Sequence, residues 1–272
     1  MMIEGIAAVV FDWAGTVVDF GSRAPALAFV RLFEAQGIAL TEAQAREPMG
    51  LPKRDHIAAL CRMPAVQQAW LQRFGQPTAD ADIDRLYEQY LPLNAHTVTE
   101  HAELVPGTVE VVQWLRSRGV SVGSNTGYGR ELITPLLPLA AAQGFEPDCV
   151  ICADDVPFSR PSPMALYRAF IELGTWPARR VVKVDDTVPG LLEGRHAGCW
   201  TVGVLSSGNE VGLSLAQWQA LSADERAVRL QRARVRLSSC DPDYLIPSVA
   251  DLPGVIEMIE RRLIAGDRPK VD

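Results

Sequence analysis

The chain has 272 residues, 48% hydrophobic against 22% charged, and a formal net charge of −7. This is the balance of a globular, core-forming protein, and its acidity argues against a broad nucleic-acid or anionic-membrane surface. A small anionic substrate stays possible, because local cations and backbone amides hold a phosphate whatever the global charge.

The start, MMIEGIAAVVF, shows no basic leader or cleavage site, and no apolar stretch has the length of a membrane span. The five cysteines (Cys61, Cys149, Cys152, Cys199, Cys240) are an odd, scattered set that reads as reduced thiols, so a cytoplasmic location is expected. Cys149 and Cys152 form a CxxC without the second ligand pair that a zinc site needs, and read as core thiols.

Ile6 to Phe11 is an unbroken, β-branched apolar run, the pattern of a strand covered on both faces. From Asp19 to about Glu103 no such run occurs. Helical stretches recur instead at Ala24–Gln36, Glu42–Arg46, Lys53–Cys61, Ala65–Phe74 and Ala81–Leu91, with Thr41 and Gln44 placed as a capping box. Next, Pro106 and Gly119 punctuate a helix over Gly107–Arg118. Strand-like runs then return at Val120–Gly123, Cys149–Ile151, Val181–Val184 and Trp200–Val204. Helical segments at Arg130–Gln143, Pro163–Leu173 and Leu191–Ala197 fill the intervals. A helix from Ser222 to Arg236, a short strand near Tyr244–Ile246 and a helix from Leu252 complete the chain; the Arg226, Arg229, Arg232 and Arg236 stripe reads as a solvated face.

This alternation predicts an α/β fold, a doubly wound Rossmann-like parallel-sheet core over residues 1–20 and 104–272, with an inserted all-helical cap domain over 21–103. Gly21 and Glu103–Pro106 are the expected connections between them.

In an open α/β sheet, ligands bind at the carboxyl ends of the strands. The first strand run ends in Asp12-Trp13-Ala14-Gly15-Thr16 and the second in Ser124-Asn125-Thr126-Gly127-Tyr128. The third leads to Asp154-Asp155 and then Arg160-Pro161, and the fourth to Asp185-Asp186-Thr187. A carboxylate, a hydroxyl, a cation and a carboxylate pair are the parts of phosphoryl transfer: nucleophile, phosphate clamps and magnesium ligand. Any one of them alone would read as a turn or cap residue.

VVFDWAGTVVD, with Thr126, Arg160-Pro161 and VDDT, resembles the four signature segments of the haloacid dehalogenase superfamily along nearly the whole chain. Phosphatases of that superfamily carry a second Asp where this chain has Ala14, and a methyl donates no proton to a leaving alkoxide. Pro48-Met49-Gly50-Leu51-Pro52-Lys53-Arg54-Asp55-His56, FDWAGT and TGY are similar to segments of the phosphonatase family, the phosphonoacetaldehyde hydrolases.

The resemblance implies hydrolysis of a carbon–phosphorus bond of a small phosphonate. Asp12 is the implied nucleophile and Lys53 the implied Schiff-base amine. It further implies Mg2+ at Asp12, Asp186 and the Ala14 carbonyl, and Thr126, Gly127 and Arg160 on the phosphoryl group. Met49 and Tyr128 would line the pocket, and association would be as a homodimer through the cap, for which the apolar face of Ala24–Gln36 offers itself. His56, three residues after Lys53, falls on the same helix face and is expected to shuttle protons, with packing inside the cap as the alternative.

Three positions depart from the family pattern. Gly190 replaces a carboxylate that supports the metal, a loss expected to weaken the site unless Asp185 or Glu193 compensates. Asp185 stands in place of Gly, and Ser22 in place of a Cys. A phosphate-ester phosphatase or mutase, and a phosphate-binding relative without activity, are the competing readings.

Overall fold

The computed structural model describes residues 5–49, 51 and 53–271. The N-terminal residues 1–4, and Gly50 and Pro52 of the lysine segment, lie outside them. Six parallel strands form one sheet: β1 (Ala8–Phe11), β2 (Ser121–Asn125), β3 (Cys149–Ile151), β4 (Val181–Asp185), β5 (Trp200–Val204) and β6 (Tyr244–Ile246). Their order, β3-β2-β1-β4-β5-β6, is the doubly wound one, and the chain reverses direction of winding at β1. All four residues of β1 are buried because helices cover both faces of the sheet, which explains its unbroken apolar run.

Between β1 and β2 lie α1 (Arg23–Ala35), α2 (Glu42–Arg46), α3 (Lys53–Cys61), α4 (Pro64–Phe74) and α5 (Asp80–Glu100), an all-helical cap. Its core is a cluster of its own, built on Phe29, Leu32, Phe33, Ile57, Leu60, Trp70, Leu86 and Tyr90. The sheet has a separate cluster, in which Trp13 meets Phe145 edge-on at 5.3 Å. The apolar face of α1 packs inside the cap against α5 and does not stand open for a second subunit.

The sheet is flanked by α6 (Thr108–Ser117), α7 (Arg130–Ile133), α8 (Leu136–Ala141), α9 (Met164–Glu172) and α10 (Val188–Ala197). Then follow α11 (Leu215–Ala220), α12 (Ala223–Ser238) and α13 (Leu252–Ile264).

Two helices differ from expectation. α5 runs through Pro92 to Glu100: the proline forfeits one backbone donor, but burial of Asn94, Thr97 and Val98 holds the last turns. The segment expected to be one helix from Arg130 to Gln143 is split into α7 and α8 around Pro135. No helix among the described residues is long and apolar enough to cross a membrane, and all five cysteines are free and buried.

Candidate active site

The carboxyl ends of β1, β2 and β4 and the cap helices α3 and α5 enclose a cavity of about 440 Å³. Asp12, Ala14, Lys53, Thr126, Gly127, Tyr128, Arg160 and Met49 all line it, so eight of the residues singled out in the sequence share one space.

Asp12 leaves β1 with its amide donating to the Val184 carbonyl at 2.9 Å, which ties the carboxylate to the adjacent strand end. Gly15 then makes the turn at φ +83°; a Cβ there would lie 2.4 Å from Asp186 Oδ2, so this close approach needs glycine. Asp186 accepts from the Asn209 amide at 2.8 Å and from Thr16 Oγ1 at 3.4 Å. Thr126 Oγ1 accepts the Tyr128 amide at 3.1 Å, which folds the loop after β2 over the sheet edge.

Arg160 is saturated. Its Nη1 lies 2.8 Å from Asp12 Oδ1 and 3.3 Å from Asp185 Oδ2, and its Nε donates to Glu193 at 3.1 Å. Its Nη2 donates to the Asn125 carbonyl and side-chain oxygen at 3.0 and 2.9 Å. Although burial opposes the charge, Asp185, Asp12 and Glu193 together hold the guanidinium firmly protonated. A phosphoryl oxygen reaching Nη1 therefore competes with Asp12 for it.

Beneath Asp12, Lys183 stands fully buried in the middle of β4. Its Nζ contacts the Asn125 side-chain oxygen, and lies 2.9 Å from Asp185 and 3.8 Å from Glu193. Asp185 is held below the usual carboxylate range: its burial, which would raise it, is outweighed by Lys183 and Arg160. Burial and the Asp185 charge push Asp12 up to about 6, while Arg160 and Lys183 pull it back. Burial raises Asp186 well above its ordinary value, and Asp12 and Asp185 add to the rise.

Ligand oxygens of Asp12, Asp185 and Asp186 lie within 4.8 Å of one another. With all groups ionised, four carboxylates (Asp12, Asp185, Asp186, Glu193) face two cations, Arg160 and Lys183. Hard oxygen donors with two surplus negative charges fit a divalent cation, and the like charges add to burial in raising Asp12 and Asp186.

Gly190 opens space for this cluster. A Cβ at position 190 would lie 2.0 Å from Asp185 Oδ2 and 2.1 Å from its Cγ. The Asp185 carboxylate thus occupies the volume of a side chain at 190, and the two departures noted in the sequence are one arrangement. Glu193 is committed elsewhere, receiving both Asn125 Nδ2 contacts at 2.9 Å and the Arg160 Nε.

On the cap side, Lys53 opens α3 with its Nζ 5.8 Å from the centroid of the Phe29 ring. Desolvation lowers the amine to about 8, opposed by Asp12 across the cavity. His56 does not face the cavity. Its ring stacks on Phe29 at 3.9 Å, and Phe29 stacks in turn on Tyr90 at 4.4 Å. Its Nε2 lies 2.8 Å from the Ala45 carbonyl, which fixes that nitrogen as the donor, and Nδ1 has no hydrogen-bond partner. Burial, then the Lys53 charge, lower the imidazole to about 3. The expectation that His56 points into the pocket beside Lys53 is therefore corrected: both side chains approach the Phe29 ring, but His56 is packed on it inside the cap and only Lys53 lines the cavity.

Ser22 lines the cavity, and Met49 both lines it and packs on the cap cluster. Asp154 and Asp155 are structural, receiving the Arg130 amide and the Cys152 amide respectively. Burial pushes the Cys149 and Cys152 thiols up to about 11 and 12, as core thiols. Sequence reasoning missed Lys183, Asn125 and the loop after β5 that supplies Asn209. A charged residue inside the otherwise apolar VVKVD run was the available signal for the first.

The family model of haloacid dehalogenase-like hydrolases matches residues 6–198. Phosphonoacetaldehyde hydrolase of Hahella chejuensis is 47% identical over 264 residues, 97% of this chain and 90% of that protein. The enzyme of the same name from Vibrio cholerae is 46% identical over 272 residues, 99% of this chain and all of that protein. A crystal structure of a phosphonoacetaldehyde hydrolase-like protein from Oleispira antarctica superposes with a TM-score of 0.93 at 44% identity, covering 97% of this chain and 96% of that one.

Proposed function

The chain belongs to the haloacid dehalogenase-like hydrolases and, among them, to the phosphonoacetaldehyde hydrolase family; from that membership we propose that it hydrolyses phosphonoacetaldehyde to acetaldehyde and phosphate. One observation carries this reading. A desolvated lysine amine and an aspartate open onto the same cavity, and the position two residues after that aspartate is an alanine.

The neutral Lys53 amine attacks the substrate aldehyde and loses water to give an iminium. Asp12 attacks phosphorus, the carbon–phosphorus bond breaks, and its electron pair passes into the iminium to form an enamine. Protonation and hydrolysis of the enamine release acetaldehyde and regenerate Lys53. Water cleaves the aspartyl phosphate and regenerates Asp12. No acid is required at Ala14, because the iminium accepts the electrons that a protonated alkoxide would otherwise carry.

Thr126, the Gly127 backbone and Arg160 hold the phosphoryl oxygens, Met49 lines the pocket, and Tyr128 stays a protonated phenol because burial raises it well above its usual value. Asp12, Asp186 and the Ala14 carbonyl hold Mg2+, with Asp185 beside them. When bound, the cation neutralises charge on the carboxylates and phosphoryl oxygens. His56 serves by packing on Phe29, the ring that the reactive amine approaches. The enzyme works in the cytoplasm, and the homodimer that the family resemblance implies uses a cap surface other than the buried α1 face.

Borohydride reduction in the presence of phosphonoacetaldehyde, followed by peptide mass analysis, tests the reading. An adduct is expected on Lys53, absent in Lys53→Ala and retained in Asp12→Ala. No adduct on Lys53, or faster turnover of p-nitrophenyl phosphate than of the phosphonate, overturns it.

A further inference from the structure

We propose that Arg46 of the cap is a positioning residue for Asp186, acting through Asn209 so that cap closure and cation binding at Asp186 depend on one another. The inference rests on the reading of Asp186 as a metal-holding carboxylate.

Arg46 is the last residue of α2, and its guanidinium leaves the cap for the core. Nη1 donates to the Gly21 carbonyl at 2.9 Å, to the Ser22 carbonyl at 3.1 Å and to Asn209 Oδ1 at 3.0 Å. Longer contacts of 3.4 Å reach the Asn209 and Gly212 carbonyls, and Glu42 steadies the head at 3.7 Å. One cap cation therefore gathers the chain entering the cap and the core loop that follows β5.

That loop is shaped around these contacts. Gly212 has φ +65°, and a Cβ there would lie 2.8 Å from Arg46 Nε. The Gly21 amide donates to the Ser207 carbonyl at 2.7 Å, and Ser207 Oγ donates to the Gly15 carbonyl at 2.7 Å. On its inner edge the Asn209 amide donates to Asp186 Oδ2 at 2.8 Å, and a Cβ on Gly208 would lie 2.9 Å from the Asp186 Cβ. A single residue, Asn209, thus stands between the cap's arginine and the carboxylate.

Cap opening withdraws Arg46, frees the loop and removes the fixed donor that orients Asp186. Coupling of this kind is reciprocal: a cation that favours the ordered Asp186 also favours the closed cap. The clamp lies in the wall of a second, polar cleft of about 660 Å³, and Arg46 is absent from the lining of the cavity that holds Asp12 and Lys53.

The test is calorimetric titration of the substrate-free protein with Mg2+, paired with amide hydrogen exchange over residues 205–213 and the cap. Asp186→Asn is expected to abolish binding. Arg46→Met, which keeps the stem and removes the fork, is expected to weaken Mg2+ affinity about tenfold, as removal of an orienting partner does. It is also expected to speed exchange in the loop and abolish the protection that Mg2+ gives the cap. Arg46→Lys is expected to recover part of each effect. Asn209→Ala, which keeps the amide and removes the Arg46 acceptor, is expected to move affinity in the same direction by less, and carries the test if Arg46→Met does not fold. Folded Arg46→Met or Asn209→Ala protein with unchanged affinity overturns the coupling and leaves the reading of Asp186 standing. Unchanged affinity in Asp186→Asn overturns both.

Discussion

On the core wall of the cavity, Arg160 and Lys183 sit among Asp12, Asp185 and Glu193, each cation within 4 Å of at least two carboxylates. On the cap wall, a single amine lies near the Phe29 ring, on which a neutral histidine is stacked. Burial acts on both walls with opposite outcomes. In the core, counter-charges outweigh it at Arg160 and Asp185, which stay ionised, though not at Asp12 and Asp186. In the cap only Asp12, across the cavity, opposes it, and burial prevails, so the lysine gives up its proton more readily. One wall is built to hold charge and the other to lose it.

Removing the core nucleophile separates the two walls most sharply. Asp12→Asn is expected to lower kcat by at least about 10⁴-fold, the scale for loss of a nucleophile, while the Lys53 adduct still forms. Steady-state turnover and borohydride trapping on the same preparation check this. Loss of both would mean that imine formation needs the aspartate, and the contrast between the walls would collapse.

The neutral histidine makes the cap sensitive to acid. Its folded pKa near 3 lies below the ordinary 6.5, so the unfolded state binds more protons between those values and stability falls as pH drops through that window. At pH 5 the penalty is about 2 kcal/mol. His56→Gln, which keeps a donor near the Ala45 carbonyl, is expected to remove most of that pH dependence. Denaturant unfolding of both proteins at pH 7.5 and pH 5, followed by exchange in α3, measures it. Equal acid sensitivity in the variant would place its origin in groups other than His56 and other than the raised carboxylates Asp12 and Asp186, which act with the opposite sign.

The smallest effect is in the rate profile. With Lys53 near 8, roughly a tenth of the amine is neutral at pH 7, against about one in three thousand for an ordinary lysine. kcat/KM for the aldehyde is expected to rise about tenfold from pH 7 to pH 9 and then level. A second limb near pH 6 belongs to Asp12 and is expected to move lower as Mg2+ is raised. A profile still climbing at pH 9.5 would show an unperturbed amine.

The sequence carried the fold class because a strand covered on both faces must be apolar throughout, and because helix punctuation is local. It carried the residues at strand ends because the sheet brings every such end to one edge. Lys183 escaped because its meaning lies in Asn125 and Glu193, 58 residues before it and ten after, which only the sheet brings together. The loop after β5 escaped for a related reason: Asn209 reaches Asp186 through a backbone amide, which any residue type supplies. The direction of His56 could not be settled by helical spacing, since residues three apart share a face but a face spans both cavity and cap interior. Sequence reasoning misplaced two helix bounds near prolines: one helix is expected to stop before Pro92, through which α5 passes, and the other to run through Pro135, where the segment breaks.

The carboxylate of Asp185 and the bare backbone of Gly190 share one volume, and that constrains how such a chain can change. A side chain gained at 190 while Asp185 remains collides with it, and a carboxylate lost at 185 while Gly190 remains leaves Lys183 and Arg160 short of a counter-ion. Each single step is penalised, and only the paired exchange keeps both shape and charge. Sequence variation at these two positions should therefore be inherited together, as one character in place of two.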